Sequence, residues 1–598
     1  MASPTWGGRC CGGRRRLANR QLPAGAGRLV DADERPHPVK TDAQLFYTPG
    51  RPNPGPAYIT SANPAKQRYA RPSRLLENPD AIVIGTGIGG LSIASTLAQK
   101  RGMRVLMLEH NDVPGGSTHC HEIDGFEFNS GVDSIGDMDP RVGRGLFRAT
   151  ADFITGGKLE WAKMPDVHET CTFGDDVYEW FSSPEKNIEW IERRFPGEGN
   201  VRGYYELEEK IEWWAWSWAM TKLAPSWVPE RAREGFYGAF GGKWRKYMTR
   251  TTSDVLRNEL GFSERLAAIF SYMYGNHGRT PELAPFAFHA VNLFHYRTGA
   301  YYPVGGPAQI ANCVIPIVEA AGGQLAVSTP AEKILVENGR AVGVRLGDGT
   351  EIRSRLVISD ASAYVTFMQL LPEEEREKHG YASRFEQTGP SPAHLYLMLG
   401  YDEEIELPQQ IIWHMPSYPD VGCYDLSAAD KSYKSEMRFE GMGGYLLSPS
   451  ARDPVYRERH PGKSTVIVLA EATAAWVKRY REEPAFRPQF EAGVRDNLMA
   501  LVHRYLPQLK GKTPATVRTG VPMGCNPRAW GGCSLGLEPS GDHFTRDTHW
   551  LRPKTPIEGL WLTGQDSFSA GVCGAMASGS LTYAALTGDW LFMLDNRL

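Results

Sequence analysis

Gly85-Thr86-Gly87-Ile88-Gly89-Gly90 closes the apolar run Ala81-Ile82-Val83-Ile84 and opens a helical stretch. Nineteen positions after Gly90, the carboxylate Glu109 ends a second apolar run, Val105-Leu106-Met107-Leu108. These intervals are those of a βαβ unit that binds a dinucleotide. Gly85 permits the tight turn, Gly87 lets the backbone approach a pyrophosphate, and Gly90 lets the helix pack close on the strand. The free N–H groups and dipole of that helix then face the phosphate charge, and Glu109 is placed to hold ribose hydroxyls. A glycine-rich turn alone is common; strand, helix, second strand and terminal acid in order make the reading specific.

A chain of 598 residues exceeds one hydrophobic core, so two or three domains are expected. A hydrophobic content of 41%, a charged content of 23% and a net charge of -3 give no bias toward nucleic acid. Sixteen Trp and 25 Tyr supply much aromatic surface for a pocket, channel or interface. The cysteines, at 10, 11, 120, 171, 313, 423, 525, 533 and 573, are odd in number and scattered, without a C-x-x-C pair. Neither a disulfide framework nor a zinc site is read from them. His119-Cys120-His121 puts two imidazoles on one side of an extended chain, but no third ligand is evident, so no metal site is expected.

No apolar run reaches the roughly 20 residues of a spanning helix. The first 30 residues hold six Arg and no acid, which is similar to a plastid or mitochondrial targeting segment. A plastid location is the expectation, with the mitochondrion or a membrane-associated site elsewhere as alternatives. One Ser, with several Gly and Pro, leaves a disordered basic tail as the other reading of this stretch. Prolines at 36, 38, 49, 52, 54, 56, 64 and 72 read as a linker or surface strap.

The expected organisation is a presequence and linker over 1–74, a first dinucleotide segment over 75–150, and a helical, aromatic-rich region over 151–300. Further dinucleotide segments follow over 301–365 and 536–598, enclosing a substrate domain over 366–535. Helical patterns are read at 206–222, 253–274 and 491–505. A β-meander from 333 to 359 ends in an apolar strand that is expected to join the sheet begun at Ala81.

Four further segments carry a resemblance: Val113-Pro114-Gly115-Gly116-Ser117, Gly125 to Gly131, Tyr302-Pro303-Val304-Gly305-Gly306, and Leu551 to Pro556 with Leu562-Thr563-Gly564-Gln565-Asp566. With the first fingerprint, these resemble in order the motifs of the flavin-dependent amine-oxidase superfamily, and within it the phytoene desaturase, carotenoid isomerase and retinol saturase group. The resemblance covers about 80–590. The stretches 251–256, 285–290 and 295–299 look most like those of all-trans-retinol 13,14-reductases.

The resemblance implies an α/β fold: a discontinuous FAD-binding, Rossmann-like domain of three ββα layers with an inserted α+β substrate domain. It implies FAD held by Gly85, Gly87, Gly90, Glu109, Gly115, Gly116, Ser117, Gly564, Asp566 and Gly574. Ala331 stands where the family's chain passes the adenine and usually carries Val. Asp566 would bind the ribityl or pyrophosphate region, or alternatively act as a helix N-cap. The segment Asn526 to Trp530 diverges from the family and is expected near the substrate channel.

Only one complete fingerprint is present, so NAD(P)H is expected to bind transiently, or electrons to come from an unidentified partner. A flavin transfers hydride to or from a polyene without a strong acid or base, leaving the protein to hold a long apolar substrate. Trp213-Trp214-Ala215-Trp216-Ser217-Trp218 suits that task, Trp214 and Trp218 sharing one helix face and Trp213 and Trp216 another. With Trp227, Lys243, Trp244, Arg245 and Lys246 nearby, the region also suits a membrane surface; aromatic packing between helices is the alternative. His289 and His295 are the candidates for proton transfer, against a structural role for each. The expected reaction is saturation of one double bond of a retinoid or carotenoid; cis–trans isomerisation, desaturation and a non-enzymatic prenyl-lipid carrier are the alternatives.

Overall fold

The computed structural model describes residue 69 and residues 71–139, 146–223, 242–521, 528–540 and 550–589. The arginine-rich segment, most of the proline-rich stretch, Trp227 and Asn526-Pro527 lie outside them.

Strands β1 (Ala81–Ile84), β2 (Val105–Leu108), β3 (Gln324–Ala326), β4 (Val357–Ser359) and β5 (Leu560–Leu562) form one parallel sheet in the order β5-β4-β1-β2-β3. Such strands are covered on both faces, which is why their sequences are near-continuous Val, Ile and Leu. Alternation then divides the side chains. Ala81, Val83, Val105 and Met107 point into a core with helices, whereas Ile82, Ile84, Leu106 and Leu108 meet Ile334, Val344 and Ile352 of an antiparallel meander over 331–353. The expected three ββα layers are present, and the strand ending at Ser359 joins β1 with Ile82 opposite Val357.

Helices α1 (Ile88–Arg101), α2 (Val201–Thr221), α3 (Phe286–Phe294), α4 (Gln309–Ala320), α5 (Arg487–Tyr505) and α6 (Gly571–Thr587) are arranged around the sheets. Eleven consecutive residues of α1, Ile88 to Ala98, are buried, all of them small or apolar, and the helix packs against α4 and α6. Close approach of α6 is made possible by Gly579, which faces Ser92, whose hydroxyl donates to the Met576 carbonyl at 2.9 Å.

The second large sheet has seven strands, in the order 516–520, 393–401, 464–472, 444–447, 411–414, 167–173 and 176–181. Its last two strands correct the reading of 151–300 as helical: Val167–Phe173 and Asp176–Phe181 pair antiparallel and join the sheet through Ile411–His414. Their alternation is interrupted by polar residues that become buried only in this sheet, among them His168, Glu169 and Thr172. One face of the sheet, with Leu395, Leu397, Leu399, Val466 and Val468, packs on α5. The other presents Tyr396, Met398, Tyr445 and Leu469 toward α2 and α3.

The pattern over 253–274 is not one helix. It breaks into short turns at Thr252–Asp254 and Val255–Glu259, a helix Glu264–Phe270 and a turn Tyr272–Asn276, with Gly261 at φ +69° between them. Among the described residues, no helix is long and apolar enough to cross a membrane.

Candidate functional site

A cavity of about 500 Å³ runs from the carboxyl ends of the parallel strands to the inner face of the seven-stranded sheet. The crevice beyond the strand ends of an open α/β sheet is where such folds bind ligands.

At the strand end of this cavity, each fingerprint glycine has an observable reason. Gly85 has φ +91°, a conformation that favours glycine. A side chain on Gly90 would collide with the Gly85 carbonyl, so its absence lets α1 sit on the turn. A Cβ on Gly87 would stand 2.5 Å from Asp360 Oδ2, and one on Gly116 3.0 Å from Gly87 Cα. α1 begins at Gly87 without a side-chain cap, and α6 begins beside Ala570 likewise uncapped. Both helix N-termini open on the cavity, where the positive dipole end favours an anion.

Glu109 lines the cavity between these parts. Its Oε2 accepts from the Thr86 N–H at 3.1 Å and its Oε1 from the Asn111 N–H at 2.8 Å. Burial pushes its carboxyl up, and the bonds from Thr86 and Asn111 oppose that shift. Gly116, Ser117, Ala331, Gly564 and Gly574 also line the cavity, while Gly115 lies behind them, its N–H donating to the Thr86 carbonyl at 3.1 Å.

Asp566 does not line the cavity. Its Oδ2 accepts from Ala363 N–H at 2.8 Å and its Oδ1 from Leu537 N–H at 3.0 Å, so it ties two loops together behind Gln565. Sequence reasoning missed Asp360, which follows β4 and lies against Gly87, Gly89, Gly90 and Gly564. Burial raises its carboxyl to about 7, with the Gly90 and Gly87 amides pulling the other way and Glu109 and Asp566 adding to the rise. Its signal was positional: it ends the strand that neighbours the fingerprint strand, at the carboxyl edge where this fold binds ligands.

These groups fit a dinucleotide. The glycine turn and both helix N-termini face the cavity, the acidic side chain at the end of β2 faces the same space, and the Asp360 carboxyl accepts from the Gly87 and Gly90 amides beside them.

The two histidines separate. His289 is buried away from the cavity, its Nε2 on the Phe270 carbonyl at 2.8 Å and its Nδ1 3.0 Å from His277 Nε2. This removes it as a proton-transfer candidate. His295, just past the end of α3, lines the cavity. Its Nε2 accepts the Gly136 N–H at 2.9 Å and lies 3.2 Å from Cys573 Sγ, which places the ring proton on Nδ1. Burial pulls its pKa down to about 4, so the imidazole is neutral at physiological pH.

The tryptophan stretch on α2 divides as well. Trp216 and Trp218 line the cavity with Trp244 and Phe568; Trp218 stacks on Trp244 at 5.6 Å and on Phe568 at 6.3 Å. Trp214 stacks instead on Tyr247 at 5.9 Å, under Lys243, and Trp213 is 58% exposed. Lys222, also missed in sequence, is buried with its ammonium donating to the Ser567 carbonyl at 2.9 Å, and burial lowers it to about 7.

The comparisons agree with this geometry. Residues 83–148 match an NAD(P)-binding Rossmann-like domain. The all-trans-retinol 13,14-reductase of Danio rerio is 30% identical over 539 residues, covering 85% of this chain and 86% of that protein. The enzyme of the same name from Rattus norvegicus is 31% identical over 542 residues, covering 86% of each. The chain belongs to the all-trans-retinol 13,14-reductase family. It is thereby a flavin-dependent oxidoreductase. Cyclohexylamine oxidase from Brevibacterium oxydans superposes with a TM-score of 0.53 at 15% identity, over 86% of this chain and 99% of that one, and shares the family's fold.

Proposed function

We propose that the protein saturates one double bond of a retinoid- or carotenoid-like polyene, with FAD as its resident cofactor. The observation that carries this reading is the single cavity that joins the glycine cradle to a channel walled by Trp216, Trp218, Trp244 and Phe568. When bound, FAD supplies the hydride chemistry.

The chain's own residues do the rest. Gly85 to Gly89, Glu109 and the start of α6 would hold the cofactor, the two helix N-termini turning their positive dipole ends toward its negative charge. The aromatic wall excludes water and aligns an extended polyene, whose π-system prefers ring faces. Saturation also needs a proton; His295, neutral with Nδ1 protonated, is the proton-handling residue in this proposal. Reducing equivalents come from a transient NAD(P)H or a partner protein, since the chain has one fingerprint. We also propose peripheral membrane contact through the face carrying exposed Trp213 and the cations Lys243, Arg245 and Lys246, and a plastid address in the arginine-rich first 30 residues.

A visible spectrum of the purified protein, followed by product mass analysis with retinoids and carotenoids under anaerobic reducing conditions, tests the reaction. Flavin bands and a product two mass units heavier are expected. An unchanged mass with a shifted retention time would instead mean an isomerase, a loss of two units a desaturase, and absence of flavin after FAD reconstitution a lipid carrier.

A further inference from the structure

Cys573 is the third residue of α6 and lines the cavity beside the cradle, between Val572 and Gly574. His295 lines the same cavity from just past the end of α3, its ring in T-shaped contact with Phe147 at 5.4 Å and with Tyr296 at 4.8 Å. The thiol sulfur lies 3.2 Å from His295 Nε2, although the two residues stand 278 positions apart in the chain.

The direction of that contact follows from a third group. The Gly136 amide can only donate, and it reaches the same Nε2 at 2.9 Å, so Nε2 carries a lone pair and Nδ1 the proton. A thiol facing that lone pair is favourable when it donates, which makes the contact S–H to Nε2. Burial, with the Asp137 charge adding to it, pushes the Cys573 thiol up, and burial pulls His295 down to about 4, so both groups are neutral at physiological pH. Nδ1 has no hydrogen-bond partner among the described residues, on a ring that lines the cavity.

A neutral pair suits the second half of a saturation. When a hydride bonds to one carbon of a double bond, the π bond breaks and its electron pair is left on the other carbon, a base strong enough to take a proton from a weak acid. An imidazole that gave up its Nδ1 proton alone would become a buried anion, at a heavy desolvation cost. With a thiol behind it the ring stays neutral: the Nδ1 proton goes to carbon as the sulfur proton goes to Nε2. One N–H and one S–H bond break, one C–H and one N–H bond form, and the negative charge ends on sulfur in the first turn of α6, where the helix dipole favours it. Reset takes one proton from solvent at Nδ1 and returns the Nε2 proton to sulfur. The Gly136 amide favours that return, because it lacks its acceptor for as long as Nε2 is protonated.

We propose that Cys573 is the proton source behind His295, the two forming a thiol–imidazole relay that delivers the proton of the saturation step. The proposal rests on the polyene reading above and adds to it the residue from which His295 draws its proton.

The test combines infrared spectra of the flavin-loaded protein with a double-mutant cycle on all-trans-retinol under anaerobic reducing conditions. The S–H stretching band of Cys573, isolated as the difference between the unaltered and Cys573→Ala spectra, is expected at the position of a hydrogen-bonded thiol and should move to that of a free thiol in His295→Phe. Cys573→Ala should lower kcat about a hundredfold, with retinol affinity, read by tryptophan fluorescence quenching, within about threefold. In a His295→Asn background the same change should cost less than about threefold, because the thiol acts only through the ring. Cys573→Ser, which keeps a donor but yields its proton less readily, should recover part of the rate. Flavin absorbance reports folding of each variant, and if Cys573→Ala loses it, Cys573→Ser in the same cycle decides. A band that His295→Phe leaves in place, or losses that multiply in full across the cycle, would overturn the relay while leaving the polyene reading intact. An unaltered protein that saturates neither all-trans-retinol nor lycopene would overturn the polyene reading and the relay with it.

Discussion

His289 and His295 stand six positions apart in sequence, and composition treats them alike, yet the helix that carries them turns them to different environments. His289 faces the interior between Phe270 and His277; His295, past the end of α3, faces the cavity. Their replacement should therefore separate two kinds of loss. His295→Asn is expected to lower turnover about a hundredfold with flavin content and unfolding midpoint nearly unchanged, the usual range for removing a proton-handling group. His289→Asn is expected to cost about 1–3 kcal/mol of stability through its broken partners while turnover per folded molecule stays within about threefold. Steady-state kinetics beside thermal unfolding checks both; equal turnover losses would refute the assignment. The same scale shows what sequence conceals. Gly85, Gly87, Gly90 and Glu109 were legible because backbone geometry and phosphate binding demand particular residues at particular intervals. Asp360 was not, because its importance arises from which strands become neighbours, a fact that no local spacing encodes.

Among the elements, the hairpin of Cys120–Ile123 and Phe126–Asn129 is held to the substrate region by an ion network. Arg459 Nη1 lies 2.7 Å from Glu127 Oε2, and its Nη2 lies 2.6 Å from Asp453 Oδ2, with both Arg459 and Asp453 buried. Hydrogen bonds and charge from Arg459 and His460 outweigh burial and hold the Glu127 carboxyl down to about 2, against an ordinary 4.5. A depressed carboxylate pKa contributes stability that is complete above the unfolded value and is lost as pH falls toward the folded one. The shift corresponds to about 3 kcal/mol, lost between about pH 5 and 2. Urea midpoints of the native protein should thus fall more steeply across this window than those of Glu127→Gln; parallel pH profiles would contradict the linkage. The elements also show where periodicity misleads. Helix α5 was legible from 491 to 505 and extends back to Arg487. The strands over 167–181 were hidden, because a half-polar strand gains its identity from the sheet that buries His168 and Glu169.

At the scale of the whole molecule, the cavity needs both sheets: one supplies the cradle and the other, through His394, Tyr445 and Leu469, the opposite wall. On the membrane contact proposed above, an apolar ligand would reach it from a lipid phase past exposed Trp213, Lys243 and Lys246. A full-length fluorescent fusion in plant or algal cells is expected to mark plastid membranes. A mitochondrial signal would refute the plastid address, and one dispersed through the stroma would refute the membrane contact.

The order of the parallel sheet has a consequence for how the enzyme is made. Strand β5 borders β4 and α6 packs along α1, yet β4 and α1 emerge from the ribosome hundreds of residues before their partners. Until β5 and α6 have been synthesised, the nascent chain carries an unpaired β4 edge, an uncovered apolar α1 and only half a cradle. Such surfaces invite aggregation during synthesis. A complete cradle accordingly waits for α6, and a chain truncated before Leu560 is expected to be an uncompleted fold.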